Sequence, residues 1–264
     1  MSAVIVCDLD GVVWRGDTPI PGSAGAIAAF REAGRRVAFL TNNSSHRVAD
    51  VVDKLARAGV PADPADVLSS AQAAAALLGT DLAPGSRVLV CAGPGVVEAL
   101  TGAGFVAVPN DADPAEPVAA VVCGFHREFD FARLDRAATA IRGGARFVAT
   151  NLDATYPGDH RVLPGAGSLV AAVATAAGRA PEVAGKPEAA TVAMVRARLG
   201  TTGVMVGDRP STDGAMASAL GWPFAMVCSG IGGNDPTEPI PTPAPRFLAD
   251  DLDGLVGAIL AAGD

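Results

Sequence analysis

The sequence predicts an α/β protein in which one parallel-sheet unit is interrupted by a second. Two observations carry this. Short apolar runs alternate with segments of helical period along nearly the whole chain, the pattern of a parallel sheet covered by helices. Polar clusters also sit at the ends of several of these runs, where an open parallel sheet presents its ligand crevice.

The elements follow in order. Val4-Ile5-Val6-Cys7 makes residues 3–7 a buried strand, and residues 14–21 are too short and irregular for more than a turn or small flap. Helical periodicity then marks 23–33, 45–58 and 70–78 as helices, with the apolar run 36–40 a strand between the first two. Around 79–85 the chain turns Pro/Gly-rich, and a fresh set of alternations begins: strands 87–91, 118–123 and 145–149, helices 94–102, 131–142 and 167–177. A second such joint lies at 178–185. Helices at 188–199, 212–220 and 251–262 and strands at 203–207 and 224–228 complete the pattern, and 229–245 reads as a long Gly/Pro-rich surface loop. The boundaries expected are therefore 1–80, an inserted unit over 81–180 with enough elements for its own core, and 181–264.

Composition narrows the function. A net charge of −8 argues against a nucleic-acid or acidic-membrane partner, which would need a basic face. No apolar stretch reaches spanning length and no leader pattern opens the chain, so a cytoplasmic protein is expected. Cys7, Cys91, Cys123 and Cys228 form no Cys-x-x-Cys pair and read as buried free thiols. Val88 to Gly95 imitates a dinucleotide-binding turn but lacks its third glycine; it reads as a strand-to-helix connection.

The chemistry begins at Asp8-Leu9-Asp10-Gly11. Residues two apart on a strand share a face, so both carboxylates point into one site. Like charges that close need a cation or a proton between them, and one ionised and one protonated acid suit acid–base work. A hairpin turn is the plain alternative for Asp-Gly. Thr41-Asn42-Asn43-Ser44-Ser45 ends the second strand with a hydroxyl and backbone N–H groups, an anion cradle if not an ordinary helix cap by Ser44 or Ser45. Lys186, in Gly185-Lys186-Pro187-Glu188, precedes a helix, and alone reads as a surface lysine. Gly207-Asp208-Arg209-Pro210-Ser211-Thr212-Asp213 places two acids five residues apart, able to ligate or orient a metal, or to cap a turn.

In this order the motifs resemble the haloacid dehalogenase (HAD) superfamily, and their spacing resembles its NagD and p-nitrophenyl phosphatase branch. The resemblance also includes Ala149-Thr150-Asn151-Leu152-Asp153 and Pro164-Gly165-Ala166-Gly167. It implies a Rossmann-like parallel-sheet core with an α/β cap of the C2 type. Asp8 would be the nucleophile that forms an aspartyl-phosphate, and Asp10 the general acid and base. Mg²⁺ would be held by Asp8, the Asp10 carbonyl and Asp208, with Asp213 orienting its waters. Thr41 and the Asn42 amide would bind phosphoryl oxygens, and Lys186 would balance charge. The cap would supply specificity near Phe125 and Tyr156-Pro157, although aromatics there could equally be core. His46, His126 and His160 lack ligand spacing and are expected to be solvated or capping. The implied function is hydrolysis of a small soluble phosphomonoester. The alternatives are a phosphotransferase or phosphomutase and a catalytically silent binding protein. The resemblance also implies a homodimer through the cap.

Overall fold

The computed structural model describes residues 3–114, 116–158, 161–230 and 244–263. In chain order the strands are β1 (Val4–Cys7), β2 (Trp14–Arg15), β3 (Thr18–Pro19), β4 (Val37–Thr41), β5 (Val67–Ser69), β6 (Arg87–Cys91), β7 (Val106–Pro109) and β8 (Ala120–Cys123). They continue as β9 (Arg146–Ala149), β10 (Thr155–Pro157), β11 (Val162–Pro164), β12 (Glu182–Val183), β13 (Gly203–Gly207), β14 (Phe224–Val227) and β15 (Phe247–Ala249). The α-helices are α1 (Ser23–Glu32), α2 (Val48–Arg57), α3 (Ser70–Leu78), α4 (Pro94–Gly102), α5 (Phe131–Arg142), α6 (Ala166–Ala177), α7 (Ala189–Leu199), α8 (Ala215–Leu220) and α9 (Leu252–Ala261).

Two all-parallel sheets organise the chain. The first runs β15-β14-β13-β1-β4-β5, with β1 central. Alternation along β1 sends Ile5 and Cys7 to the face covered by α1, α2 and α9, and Val4 and Val6 to the face covered by α7 and α8. Both faces are buried, which is why β1 reads as an unbroken apolar run. The second sheet runs β12-β9-β8-β6-β7, with α5 and α6 packed against one face and α4 against the other. Helix α3 belongs to this second core as much as to the first unit: Ala71, Ala74, Ala75 and Leu78 pack with Val88, Val90 and Val148. Ser69 starts it with a capping box, its hydroxyl accepting from the Gln72 N–H while Gln72 accepts from the Ser69 N–H.

Several short elements were not legible in the pattern. Strands β5, β12 and β15 span two or three residues each, too few to show a period. Strand β7 is an exposed edge. The flap expected at 14–21 is the antiparallel pair β2–β3, and a second hairpin, β10–β11, reaches toward the cavity. The helix expected from residue 45 begins at Val48, because Ser44 is buried and Asp50 instead caps the Arg47 N–H. The capping role considered for Ser44 or Ser45 is therefore not the one observed. Residues 231–243 of the expected 229–245 loop lie outside the described residues, as does His160. Among the described residues no helix is long and apolar enough to cross a membrane.

Gly93 and Gly95, the residues that imitate a dinucleotide turn, serve packing instead. A Cβ on Gly95 would stand 2.1 Å from the His46 carbonyl oxygen, and its N–H donates to the Ser45 carbonyl. The second unit thus closes directly onto the loop after β4.

Candidate active site

The C-terminal edge of the first sheet gathers the polar motifs, as parallel strands require. Asp8 follows β1, its N–H donating to the Val206 carbonyl on β13 at 2.9 Å. The chain then turns sharply at Gly11, whose φ of +89° and whose contact with the Asp208 carboxyl, 2.7 Å from a Cβ built there, admit glycine alone. This turn returns Trp14 toward Asp10, where its indole N–H donates to Oδ1 at 2.9 Å.

Lys186 arrives from the far side, before α7. The residue is 4 % exposed, and its ammonium lies 2.9 Å from Asp8, 2.7 Å from Asp213 and 3.1 Å from the Leu40 carbonyl, so its three donors are all engaged. Burial opposes that charge, but the carboxylates of Asp213 and Asp8 outweigh it and hold the ammonium above its ordinary range. Asp213, fully buried, is pushed up to about 6 by desolvation against the pull of Lys186. Its second oxygen accepts from the Arg209 N–H at 3.1 Å. Burial likewise raises Asp8, opposed by Lys186, and raises Asp10, opposed by Lys54 and by the Trp14 hydrogen bond.

Asp8, Asp208 and Asp213 bring carboxylate oxygens within 4.8 Å of one another. Both Asp213 oxygens are held by protein donors, the Lys186 ammonium and the Arg209 N–H. Four carboxylates, those of Asp8, Asp10, Asp153 and Asp208, line the cavity against Lys186 and Arg209. A hard divalent cation suits this oxygen-only, anion-rich set.

The strand-end Thr41 lines the same cavity, its Oγ1 accepting from the Asn43 N–H at 3.0 Å. Asn42 does something its position in the sequence did not announce. Its Oδ1 accepts from the Lys186 N–H at 2.8 Å, its Nδ2 donates to Asp153 at 3.1 Å, and its carbonyl accepts from Ser70 and Asn151. The side chain is a cross-tie between the units. Arg209 makes a parallel tie, donating to the Thr155 carbonyl on β10 at 3.2 Å.

From the second unit Phe125 and Tyr156 both line the cavity, stacked edge to face with ring centroids 5.1 Å apart. Pro157 follows in β10; its side chain lies outside the described residues. Sequence reasoning missed Trp14, Arg209 and the tie through Asp153. The only available signal was their place within or beside motifs already singled out. His126 corrects an expectation: it is neither solvated nor a cap but buried, its Nδ1 3.2 Å from the Gly124 carbonyl oxygen and its ring against Phe129. His46 is exposed, as expected.

Comparison with known proteins identifies the family. The family model described as haloacid dehalogenase-like hydrolase matches residues 5–106, and a HAD-hydrolase-like model matches 183–255. A D-glycerol 3-phosphate phosphatase of Mycobacterium tuberculosis is 38% identical over 254 residues, 95% of this chain and 70% of the relative. Among solved structures, a glycerol phosphate phosphatase from that organism in complex with magnesium superposes with a TM-score of 0.84 at 36% identity, over 96% of this chain and 76% of the other. The p-nitrophenyl phosphatase of Archaeoglobus fulgidus gives a TM-score of 0.85 at 26% identity, over 97% and 99%.

Proposed function

The chain belongs to the haloacid dehalogenase-like hydrolases, and from that premise we propose that it hydrolyses a small phosphate monoester through an aspartyl-phosphate on Asp8. One arrangement carries this reading: a buried carboxylate held by a lysine at the crevice floor, with a second, desolvated carboxyl two residues on.

Asp8 Oδ attacks phosphorus as the bond to the leaving oxygen breaks, and Asp10 gives that oxygen its proton. Water then attacks the aspartyl-phosphate; Asp10 takes its proton back and Asp8 is restored. Lys186 keeps Asp8 ionised, while Thr41 and the Asn42 N–H hold phosphoryl oxygens where charge accumulates. Mg²⁺, held by Asp8, Asp208 and the Asp10 carbonyl, would supply the positive charge that lets an anionic ester approach an anionic nucleophile. Asp213 orients this set from behind.

The unit built on the second sheet, which runs past the expected 81–180 to include β12 and packs against α3, acts as the cap, closing on the core through Asn42–Asp153 and Arg209–Thr155 and excluding water. Phe125 and Tyr156 form one wall, while Asn43, Asn151, Thr155 and Thr212 contribute amides and hydroxyls. That lining suits a short hydroxylated phosphate of glycerol-phosphate size, and the M. tuberculosis relative carries that activity in its name. Hydrolysis of a panel of phosphorylated metabolites with Mg²⁺ or EDTA tests the reading. A kcat/KM highest for short polyol phosphates supports it, and equal or greater turnover of nucleotides or aromatic phosphates refutes the substrate class. A homodimer through the cap is a separate proposal, supported by Phe131, 82% exposed on α5, and tested by sedimentation.

A further inference from the structure

The chain has only two lysines, and each stands by one of the two opening aspartates. Lys186 meets Asp8 directly. Lys54, on α2, stands behind Asp10 with the Trp14 indole in contact with both. Its ammonium lies 4.4 Å from the ring centroid, donates to the Gly16 carbonyl at 2.6 Å and is 3.4 Å from the Asp17 carboxylate. Trp14 is 3% exposed and packs in the core that includes Val51 and Leu55 of the same helix. Its indole N–H is spent on Asp10 Oδ1. Backbone bonds close the loop between them, the Gly11 N–H donating to the Trp14 carbonyl at 2.7 Å and the Trp14 N–H to the Leu9 carbonyl at 3.3 Å.

A carboxyl group turns easily about its last torsion, which is broad and roughly two-fold. A core tryptophan needs only some partner for its N–H, and backbone carbonyls are the common choice: Trp222, the other tryptophan, donates to the Thr201 carbonyl. Trp14 instead reaches the carboxyl that lines the cavity. We propose that Trp14 is a positioning residue for the general acid, clamped by Lys54, and that its N–H fixes which Asp10 oxygen faces the leaving group. With one carboxyl oxygen held on the indole N–H, the other oxygen is the one left to face the leaving group. That oxygen gives its proton to the leaving alkoxide as the phosphorus–oxygen bond breaks, and regains one from the attacking water. The residual carboxylate keeps the indole hydrogen bond throughout.

This rests on the reading of Asp10 as the acid, and the test separates the two. kcat/KM, which reports steps through the first irreversible transfer, is measured for Trp14→Phe on phosphate monoesters ranging from p-nitrophenyl to simple alkyl leaving groups. A nitrophenolate leaves with little protonation; an alkoxide does not. The alkyl ester is expected to lose roughly tenfold more than the aryl ester. A replacement that only damaged the fold would lower both by the same factor. An isostere at position 14 with benzothiophene in place of indole keeps the volume and the Lys54 contact and lacks the N–H, so it must reproduce the same split even if Trp14→Phe folds poorly. Equal losses on both esters in the isostere overturn the proposal. Asp10→Asn is the control: a leaving-group dependence there with none in the isostere sinks the Trp14 role alone, whereas its absence in Asp10→Asn removes the acid assignment and the proposal with it.

Discussion

Replacing Lys186 with methionine removes the only ammonium between two buried carboxylates while nearly preserving side-chain length. The ion pairs it breaks span 2.9 Å to Asp8 and 2.7 Å to Asp213, among side chains 2%, 11% and 0% exposed. At an effective dielectric constant of about 20 each pair is worth roughly 6 kcal/mol before the cost of desolvating the charges. Because that cost is already met in the fold, removing one partner of such a set costs about 3–5 kcal/mol net. For a chain of this size the melting temperature should fall by about 6–20 °C at pH 7.5 in EDTA. The loss should depend on pH in a defined sense. Asp213 in the folded protein sits at about 6, above its unfolded value near 4. A carboxyl whose pKa is raised on folding stabilises the native state below the unfolded value and loses that contribution as pH rises through the folded one. Without Lys186 this window moves upward, so the variant regains stability relative to wild type as the carboxyls protonate. Differential scanning calorimetry of both proteins from pH 4.5 to 7.5 is the assay. A deficit that stays constant across that range, or a drop below about 3 °C at pH 7.5, refutes the argument that Lys186 holds the carboxylates together.

Asp208→Asn should weaken Mg²⁺ binding and phosphatase activity together, seen by titration calorimetry and turnover; intact Mg²⁺ affinity would count against Asp208 as a ligand. Asp8→Asn should abolish turnover and leave no acid-stable phosphoenzyme. Asp10→Asn should lose roughly 10²–10⁴-fold and accumulate phosphoenzyme from p-nitrophenyl phosphate, visible by rapid quench with labelled substrate. Label on a residue other than Asp8 would overturn the mechanism. Asn42→Ala strands the Lys186 N–H and the Asp153 carboxyl, so urea unfolding should show a loss of about 1–3 kcal/mol; no loss would mean the cross-tie carries no stability.

The central strands and the long helices were legible because an unbroken apolar run such as Val4–Cys7 and a segment of helical length such as Ala166–Ala177 state their burial in residue order. So was the grouping of Asp8, Thr41, Lys186 and Asp208, since each motif ends an apolar run or opens a helix and parallel strands bring such ends to one edge. His126 was misread because its burial comes from packing of β8 and the loop after it, which no spacing encodes. Strand β12 was invisible for a similar reason: two residues become a strand only because β9 lies alongside.

Residue order alone determined the α/β class, the interrupted layout and the identity of the acids and lysine at the crevice, because periodicity and strand-end position are local properties. Only the tertiary structure decided how their hydrogen bonds are shared. Asn42 ties Lys186 to Asp153, 111 residues from itself in the chain, and Asp213 spends both oxygens on Lys186 and Arg209 while Asp208 faces Asp8. Directional bonds among buried polar groups depend on distances of a few tenths of an ångström between distant segments, and those distances are set by the packing of the two cores around them.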